Sequence, residues 1–230
     1  MFKNIKISAV ISAFNEERFI ERVIKTVLKC GFFDEIAVID DGSTDKTPEI
    51  LKKFQHEHLK IFRFGKNKGK SYAMIKGVKM TSGEIIVFLD ADLVGLRKNH
   101  VEQLINPLIT GEADITIGHP TESEFDKNLN PSQFIAGQRA VFRKDIMPIV
   151  KKLRTTKYGI ETMLNLYYKS RNKKSKIVYL WNILHPIKFR KEKFPTSIKN
   201  YLLAGFHILK TIIVNYGLVL VVFRRLILKD

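Results

Sequence analysis

The sequence predicts an α/β fold: a mostly parallel sheet flanked by helices. Three observations carry that reading. Ile85-Ile86-Val87-Phe88-Leu89 is an unbroken apolar run, the pattern of a strand buried on both faces. Strand, loop and helix signals alternate three times ahead of it, as parallel crossover units do. Hydrophobic residues make up 45% of the 230 and charged residues 27%, enough for a full core.

The elements follow in order. Ile5 to Ser12 is β-branched and apolar and reads as the first strand, with Ala13-Phe14-Asn15-Glu16-Glu17 as its carboxyl-end loop. Asn15 is placed to cap a helix in which Phe19, Ile20, Val23, Ile24, Val27 and Leu28 recur at helical spacing up to Gly31. Glu35 to Ile39 is the second strand. Pro48 then stands near the start of a helix continuing through Ile50, Leu51 and Phe54. Lys60 to Phe64 is the third strand, and a helix containing Ala73, Met74, Gly77 and Val78 leads to the fourth, which ends at Asp90. Beyond it the pattern loosens. A helix is expected over Val101 to Ile109, a strand over Ala113 to Gly118, and a polar flexible loop from His119 to Pro131. A short strand over Ala136 to Phe142 precedes a helix around Asp145 to Leu153. Tyr158-Gly159-Ile160-Glu161 opens another helix, and Lys176 to Leu180 is a last strand.

The formal net charge is +17, which points to an anionic partner: nucleic acid, a phosphorylated substrate or an acidic membrane surface. No nucleic-acid reader motif accompanies the charge, so that partner class is set aside. The lone Cys30 excludes an intrachain disulfide and a cysteine-based zinc site. Met1 to Lys6 runs straight into a strand without a signal-peptide pattern, and the active part is expected in the cytosol. Residues 1–195 are read as the α/β domain and 196–230 as an apolar, basic-flanked helical segment. Thr211 to Phe223 is the longest charge-free stretch there, too short for the ~20 residues of a span. Lys188, Arg190, Lys191, Lys193 and Lys199 lie upstream. Such a tail either associates with the cytoplasmic face of a membrane, docks on the α/β domain, or enters a dimer interface.

Two carboxylates close the fourth strand, Asp90 and Asp92, with the small Ala91 between them. Ligands of open α/β sheets collect at the carboxyl ends of strands, and strand alternation sends both acids the same way. Hard oxygen ligands in such a crevice suit Mg²⁺ or Mn²⁺ bridging carboxylates to phosphates.

Four stretches together resemble the family 2 glycosyltransferases of GT-A fold. They are Val10 to Glu17, Ile39-Asp40-Asp41-Gly42-Ser43-Thr44-Asp45, Asn67-Lys68-Gly69-Lys70 and Phe88 to Asp92, matching in order and spacing across roughly residues 5–120. Within the family the likeness is to the polyprenyl-phosphate sugar synthases and, more distantly, the glucosyl-3-phosphoglycerate synthases. The resemblance implies a UDP- or GDP-linked sugar donor, a divalent cation and direct displacement with inversion; the phosphoglycerate likeness would bring retention. It assigns the nucleotide sugar to Ser12, Ala13, Phe14, Glu16, Asp41, Gly69, Lys70, Asp90, Ala91 and Asp92. Asp40 is then a further binding acid or only a turn acid, and Lys70 a diphosphate ligand or a solvated lysine at a helix start. Asp92, Asp90 and, by resemblance, His185 are the metal ligands. Glu161 is a general base near the acceptor or a first-turn helix glutamate. Gln138, Arg139 and Arg143 resemble the acceptor-phosphate stretch of the polyprenyl-phosphate enzymes, with Arg139 as a bidentate fork. The acceptor is a lipid phosphate on this reading, or else a soluble phosphorylated metabolite or growing glycan.

Overall fold

A computed structural model describes residues 5–121, 136–156, 159–183 and 194–228. Its strands are β1 (Ile7–Ala13), β2 (Glu35–Asp40), β3 (Leu59–Arg63), β4 (Ile85–Asp90), β5 (Ile115–Thr121), β6 (Gln138–Phe142) and β7 (Ser175–Trp181). They form one sheet in the order β3-β2-β1-β4-β6-β5-β7. β6 runs antiparallel to both its neighbours, β4 and β5, and the other pairs are parallel. The mostly parallel α/β sheet read from the sequence is therefore present.

The helices are α1 (Ile20–Cys30), α2 (Thr47–Lys52), α3 (Lys70–Met80), α4 (Lys98–Ile109), α5 (Arg143–Ile146), α6 (Val150–Leu153), α7 (Ile160–Ser170), α8 (Phe194–Val214) and α9 (Tyr216–Leu228). Strand alternation divides the core between the two sheet faces. Ile7, Ala9, Ile11, Ile85, Val87 and Leu89 join the α1 and α4 side chains Val23, Ile24, Val101 and Leu104 on one face. Val10, Ile86, Phe88, Ile115 and Val141 meet Met74, Ile160 and Leu164 on the other. That division is why the apolar run of β4 carries no polar interruption. Each fully buried residue of this kind contributes roughly 1.5–3 kcal/mol.

Four local expectations are corrected. Asn15 does not cap α1, which begins at Ile20; it has φ 57°, and its Oδ1 accepts the Thr44 N–H at 2.8 Å. Asparagine tolerates the left-handed region, so here it makes a turn. α2 ends at Lys52, leaving Phe54 outside it. The helix expected over 145–153 is interrupted by a 3₁₀ turn, Met147–Ile149, because Pro148 lacks the N–H an α-helix needs. His119, Pro120 and Thr121 belong to β5, paired along β7 as far as Trp181, rather than to a loop; residues 122–131 of that expected loop lie outside the described residues.

α8 starts two residues ahead of the boundary read from the sequence, and it meets α9 across Asn215 at a 75° bend. Both pack on α7. A Cβ on Gly159 would stand 2.9 Å from Thr211 Cβ and 3.0 Å from the His207 carbonyl oxygen, closer than side chains tolerate, so only glycine admits α8 there. Leu218 of α9 packs on the cluster containing Ile160 and Met163. Among the described residues no single helix is long and apolar enough to cross a membrane; the bent pair meets that test only taken together.

Candidate active site

The carboxyl ends of β1, β2 and β4 lie side by side, with Ser12 paired to Ile39 on one side and to Asp90 on the other. The loops that follow β1 and β2 are laced together. The Asn15 N–H donates to Ser43 Oγ and the Glu16 N–H to Thr47 Oγ1, both at 2.9 Å. The Asp41 N–H donates to the Ala13 carbonyl at 2.8 Å. These bonds hold Ala13, Asn15 and Glu16 against the β2 loop, next to Ser12 at the end of β1, and Phe14 is exposed.

Asp41 is buried, and its two oxygens accept the Lys68 N–H at 2.8 Å and the Gly69 N–H at 2.7 Å. Burial pushes its carboxyl above the usual range against the pull of those donors. The side chain thus braces the loop that delivers Lys70. Gly42 has φ 77°, and a Cβ on it would meet the Asn67 nitrogen at 2.7 Å; the two loops touch only because it is glycine. Asp40 is a turn acid: its Oδ1 accepts the Ser43 N–H at 2.8 Å, and Oδ2 pairs with Arg63 Nε at 3.1 Å.

Lys70 opens α3 with its Nζ 2.8 Å from both Asp90 Oδ1 and Glu161 Oε1. The solvated-lysine alternative is therefore excluded. Burial works against the charged amine, yet the two carboxylates hold it far above the ordinary lysine range. Asp90 Oδ2 also accepts Gln138 Nε2 at 2.8 Å. Glu161, in the first turn of α7, is 4% exposed. It is both a first-turn glutamate and a site carboxylate.

Arg139 is wholly buried, which overturns its reading as a fork open to an acceptor phosphate. Its Nε donates to the Ala136 carbonyl at 3.0 Å and its Nη1 to Asn165 Oδ1 at 2.6 Å. Burial lowers its pKa to about 10, opposed by Glu161 and Asp90. It is an internal counter-charge to those carboxylates. Asn165 was not singled out from the sequence; it lies one helical turn beyond Glu161 on α7, and its signal appears only once Arg139 is placed.

Arg143 is a second correction. β4 and β6 pair Ile85 with Phe142, so Arg143 stands beside Glu84, just ahead of β4, six residues or roughly 20 Å from Asp90. There it donates to the Gly83 carbonyl at 2.7 Å, the Val78 carbonyl at 2.9 Å and Thr81 Oγ1 at 2.9 Å, clamping the α3–β4 turn. It does not approach Asp90.

The donor set fits a hard divalent cation. Asp92 is 6% exposed in the turn directly after β4, two residues beyond Asp90. Among the described residues no three His, Cys, Asp or Glu side chains converge as a closed metal site. Two carboxylates at most suit an ion that fills its remaining positions with phosphate and water. His185 lies outside the described residues.

The chain is similar to known proteins in sequence and fold. The family model described as glycosyl transferase family 2 matches residues 8–199. Glucosyl-3-phosphoglycerate synthase of Mycobacterium tuberculosis is 38% identical over 113 residues, 46% of this chain and 35% of that protein. Dolichol-phosphate mannosyltransferase of Pyrococcus furiosus is 34% identical over 120 residues, 50% of this chain and 33% of that protein. The matched segment thus spans about a third of these curated relatives. A crystal structure of the M. tuberculosis synthase with Mg²⁺ and UDP aligns at TM-score 0.63 and 26% identity over 80% of this chain and 72% of that one. Another, with Mn²⁺, UDP and glucosyl-3-phosphoglycerate, aligns at TM-score 0.72 and 23% identity over 94% and 81%, a likeness of fold.

Proposed function

The chain belongs to glycosyl transferase family 2, and from that premise we propose that it transfers a sugar from a UDP- or GDP-linked donor to a polyprenyl phosphate at the cytoplasmic face of the cell membrane. The observation that carries this reading is the Lys70–Asp90–Glu161 cluster beside Asp92 at the carboxyl edge of the sheet.

Breaking the bond between the anomeric carbon and phosphate leaves negative charge on the departing diphosphate. Mg²⁺ or Mn²⁺ held by Asp92 and Asp90 would supply Lewis-acid stabilisation of that charge. Lys70, clamped between two carboxylates, offers the diphosphate an ammonium aimed into the site before the donor arrives, and such preorganisation is commonly worth several kcal/mol in the transition state. Asp41 holds the loop on which Lys70 is delivered and faces the nucleoside end. Gln138 and Arg139 keep the Asp90 and Glu161 carboxylates in place. An acceptor phosphate is already a nucleophile near neutral pH, so Glu161 then serves to hold Lys70 rather than to take a proton.

A second reading, transfer to a soluble phosphorylated metabolite with possible retention of configuration, is favoured by the similarity to glucosyl-3-phosphoglycerate synthase. A hydroxyl acceptor would need Glu161 as general base. The test has two steps. Thermal shift with UDP, GDP and their sugars, with and without Mn²⁺, should show a metal-dependent response to one nucleotide. Turnover on polyprenyl phosphate in detergent is then compared with turnover on 3-phosphoglycerate. Activity on the second alone would overturn the lipid reading, and silence to every nucleotide would overturn the transferase.

A further inference from the structure

The two C-terminal helices turn their apolar sides away from the protein. On α8 the outward residues are Phe206, Leu209 and Ile213, and on α9 Leu220, Phe223 and Ile227. Each set advances by three and then four residues, one helix face, and each side chain is between 57% and 62% exposed. The inward side of α8 is the less apolar one: Thr211 is 5% exposed, seated against Gly159, and donates to the His207 carbonyl at 2.7 Å. This is the reverse of a surface helix of a soluble domain. With Val214, Tyr216 and Val221 also exposed, the two helices carry a concentration of large apolar side chains in solvent that soluble monomers rarely expose.

Charge identifies the occupant. From residue 194 to 229 there is no Asp or Glu, while Lys199, Lys210, Arg224, Arg225 and Lys229 are basic. Arg224, Arg225 and Val221 line a groove of about 360 Å³ with Asn172, just beyond the end of α7. One guanidinium nitrogen of Arg225 is buried with no hydrogen-bond partner among the described residues. A second copy seated on this face would bring like charges together, which is unfavourable. An anionic lipid surface satisfies both the stripe and the arginines.

We propose that the α8–α9 elbow is a docking surface for an anionic phospholipid bilayer, lying in the plane of the interface with its apolar stripes inserted and the Arg224–Arg225 groove receiving a lipid phosphate. This deepens the membrane location proposed above and rests on it. The bend sets the two helices 75° apart, so they lie along the surface as two arms of one plate. Such helices seat their apolar faces ~5–10 Å into the headgroup–acyl boundary. Because Gly159 pins α8 two residues from Glu161, the plate also fixes how the reaction site faces the bilayer.

Flotation of the full chain on phosphatidylcholine vesicles, with and without phosphatidylglycerol, tests the proposal. The protein should float with the anionic vesicles and fall off them at high salt. The pair Phe206→Ser and Phe223→Ser should lower binding at least about tenfold with an unchanged melting temperature. Arg224→Gln with Arg225→Gln should remove the preference for phosphatidylglycerol. Nitroxides on Phe206→Cys and Phe223→Cys, read on the vesicles, should report the same shallow depth. Cys30 does not compete for the label, being buried with its thiol pushed up to about 11. The proposal is overturned by any of four results: no flotation, flotation indifferent to both pairs, one label at the bilayer centre, or a dimer that the serine pair dissociates. Turnover on polyprenyl phosphate in detergent micelles judges the acceptor separately, since no bilayer is needed there.

Discussion

Gly137→Ala should disable the enzyme while leaving it folded. A Cβ at residue 137 would stand 2.7 Å from Asp90 Oδ1 and 2.8 Å from its Cγ, and nearer still to Oδ2, where ordinary contact begins at 3.4 Å. The carboxylate must therefore retreat by at least about 0.7 Å, the difference between 3.4 and 2.7 Å. Its bonds to Lys70 and Gln138 are both 2.8 Å, and lengthening either by that amount brings it to 3.5 Å, the limit of hydrogen bonding. Overpacking of this kind costs about 1–3 kcal/mol, which in a chain of this size lowers Tm by roughly 3–10 °C. Misplacing catalytic groups by about 1 Å costs on the order of 10²-fold in rate. The assay is kcat at saturating donor and acceptor, well below the variant's melting temperature. Gly65→Ala is the control, since nothing lies within 4 Å of its added Cβ. Wild-type kcat in folded Gly137→Ala protein would refute the claim that Asp90 is held in register by its neighbours.

Three further outcomes are expected. Glu35, 12% exposed at the side chain, accepts from Ser82 N at 2.6 Å, Lys60 Nζ at 3.0 Å and Ser8 Oγ at 3.1 Å. Burial opposes the charge, but these donors bring its pKa down to about 2 from 4.5. The folded value is the lower one, so the stabilisation is present above pH 4.5 and disappears as pH falls through 2. Glu35→Gln should then cost up to about 3 kcal/mol near pH 7 and little at pH 2, and urea unfolding with the same deficit at both would contradict this. Asp41→Asn places an amide against the Lys68 or Gly69 N–H and should cost about 1.5–3 kcal/mol, with a raised KM for the donor; an unchanged KM would remove Asp41 from the nucleotide site. Gly159→Ala should pry α8 from α7, so that limited proteolysis cuts the tail sooner, and Thr211→Gly in the same chain should restore protection.

The parts of the site that were legible in the sequence are those fixed by local pattern. Apolar runs that stop at acids gave the strand ends, and Lys70 after Gly69 gave a helix start facing them. What stayed hidden depended on direction and register. Arg139 and Arg143 are the same residue type four positions apart, yet one is buried beside Asp90 and the other clamps the opposite edge of the sheet. Their difference rests on β6 running antiparallel to β4 with Arg139 opposite Phe88, and the local sequence of a five-residue strand does not say which way it runs. Asn15 misled for another reason: asparagine favours both helix caps and left-handed turns, and packing against Thr44 chose the turn. The resemblance to a family located Gln138 and Arg139 but misjudged what they touch. It treated side chains that hold the Asp90 and Glu161 carboxylates as if they held substrate.

The reversed course of β6 has an anatomical consequence. β5 leaves the sheet at Thr121 and β6 re-enters it at Gln138, and both points lie on the edge where Asp90 ends β4. The intervening stretch therefore begins and ends beside the chemistry, anchored at either end by paired strands. On its two sides Thr121 is paired with Trp181 and Gln138 with Gly118. Grafts at these two junctions would ask whether the acceptor of the proposed transfer is read there, next to the Lys70–Asp90–Glu161 cluster.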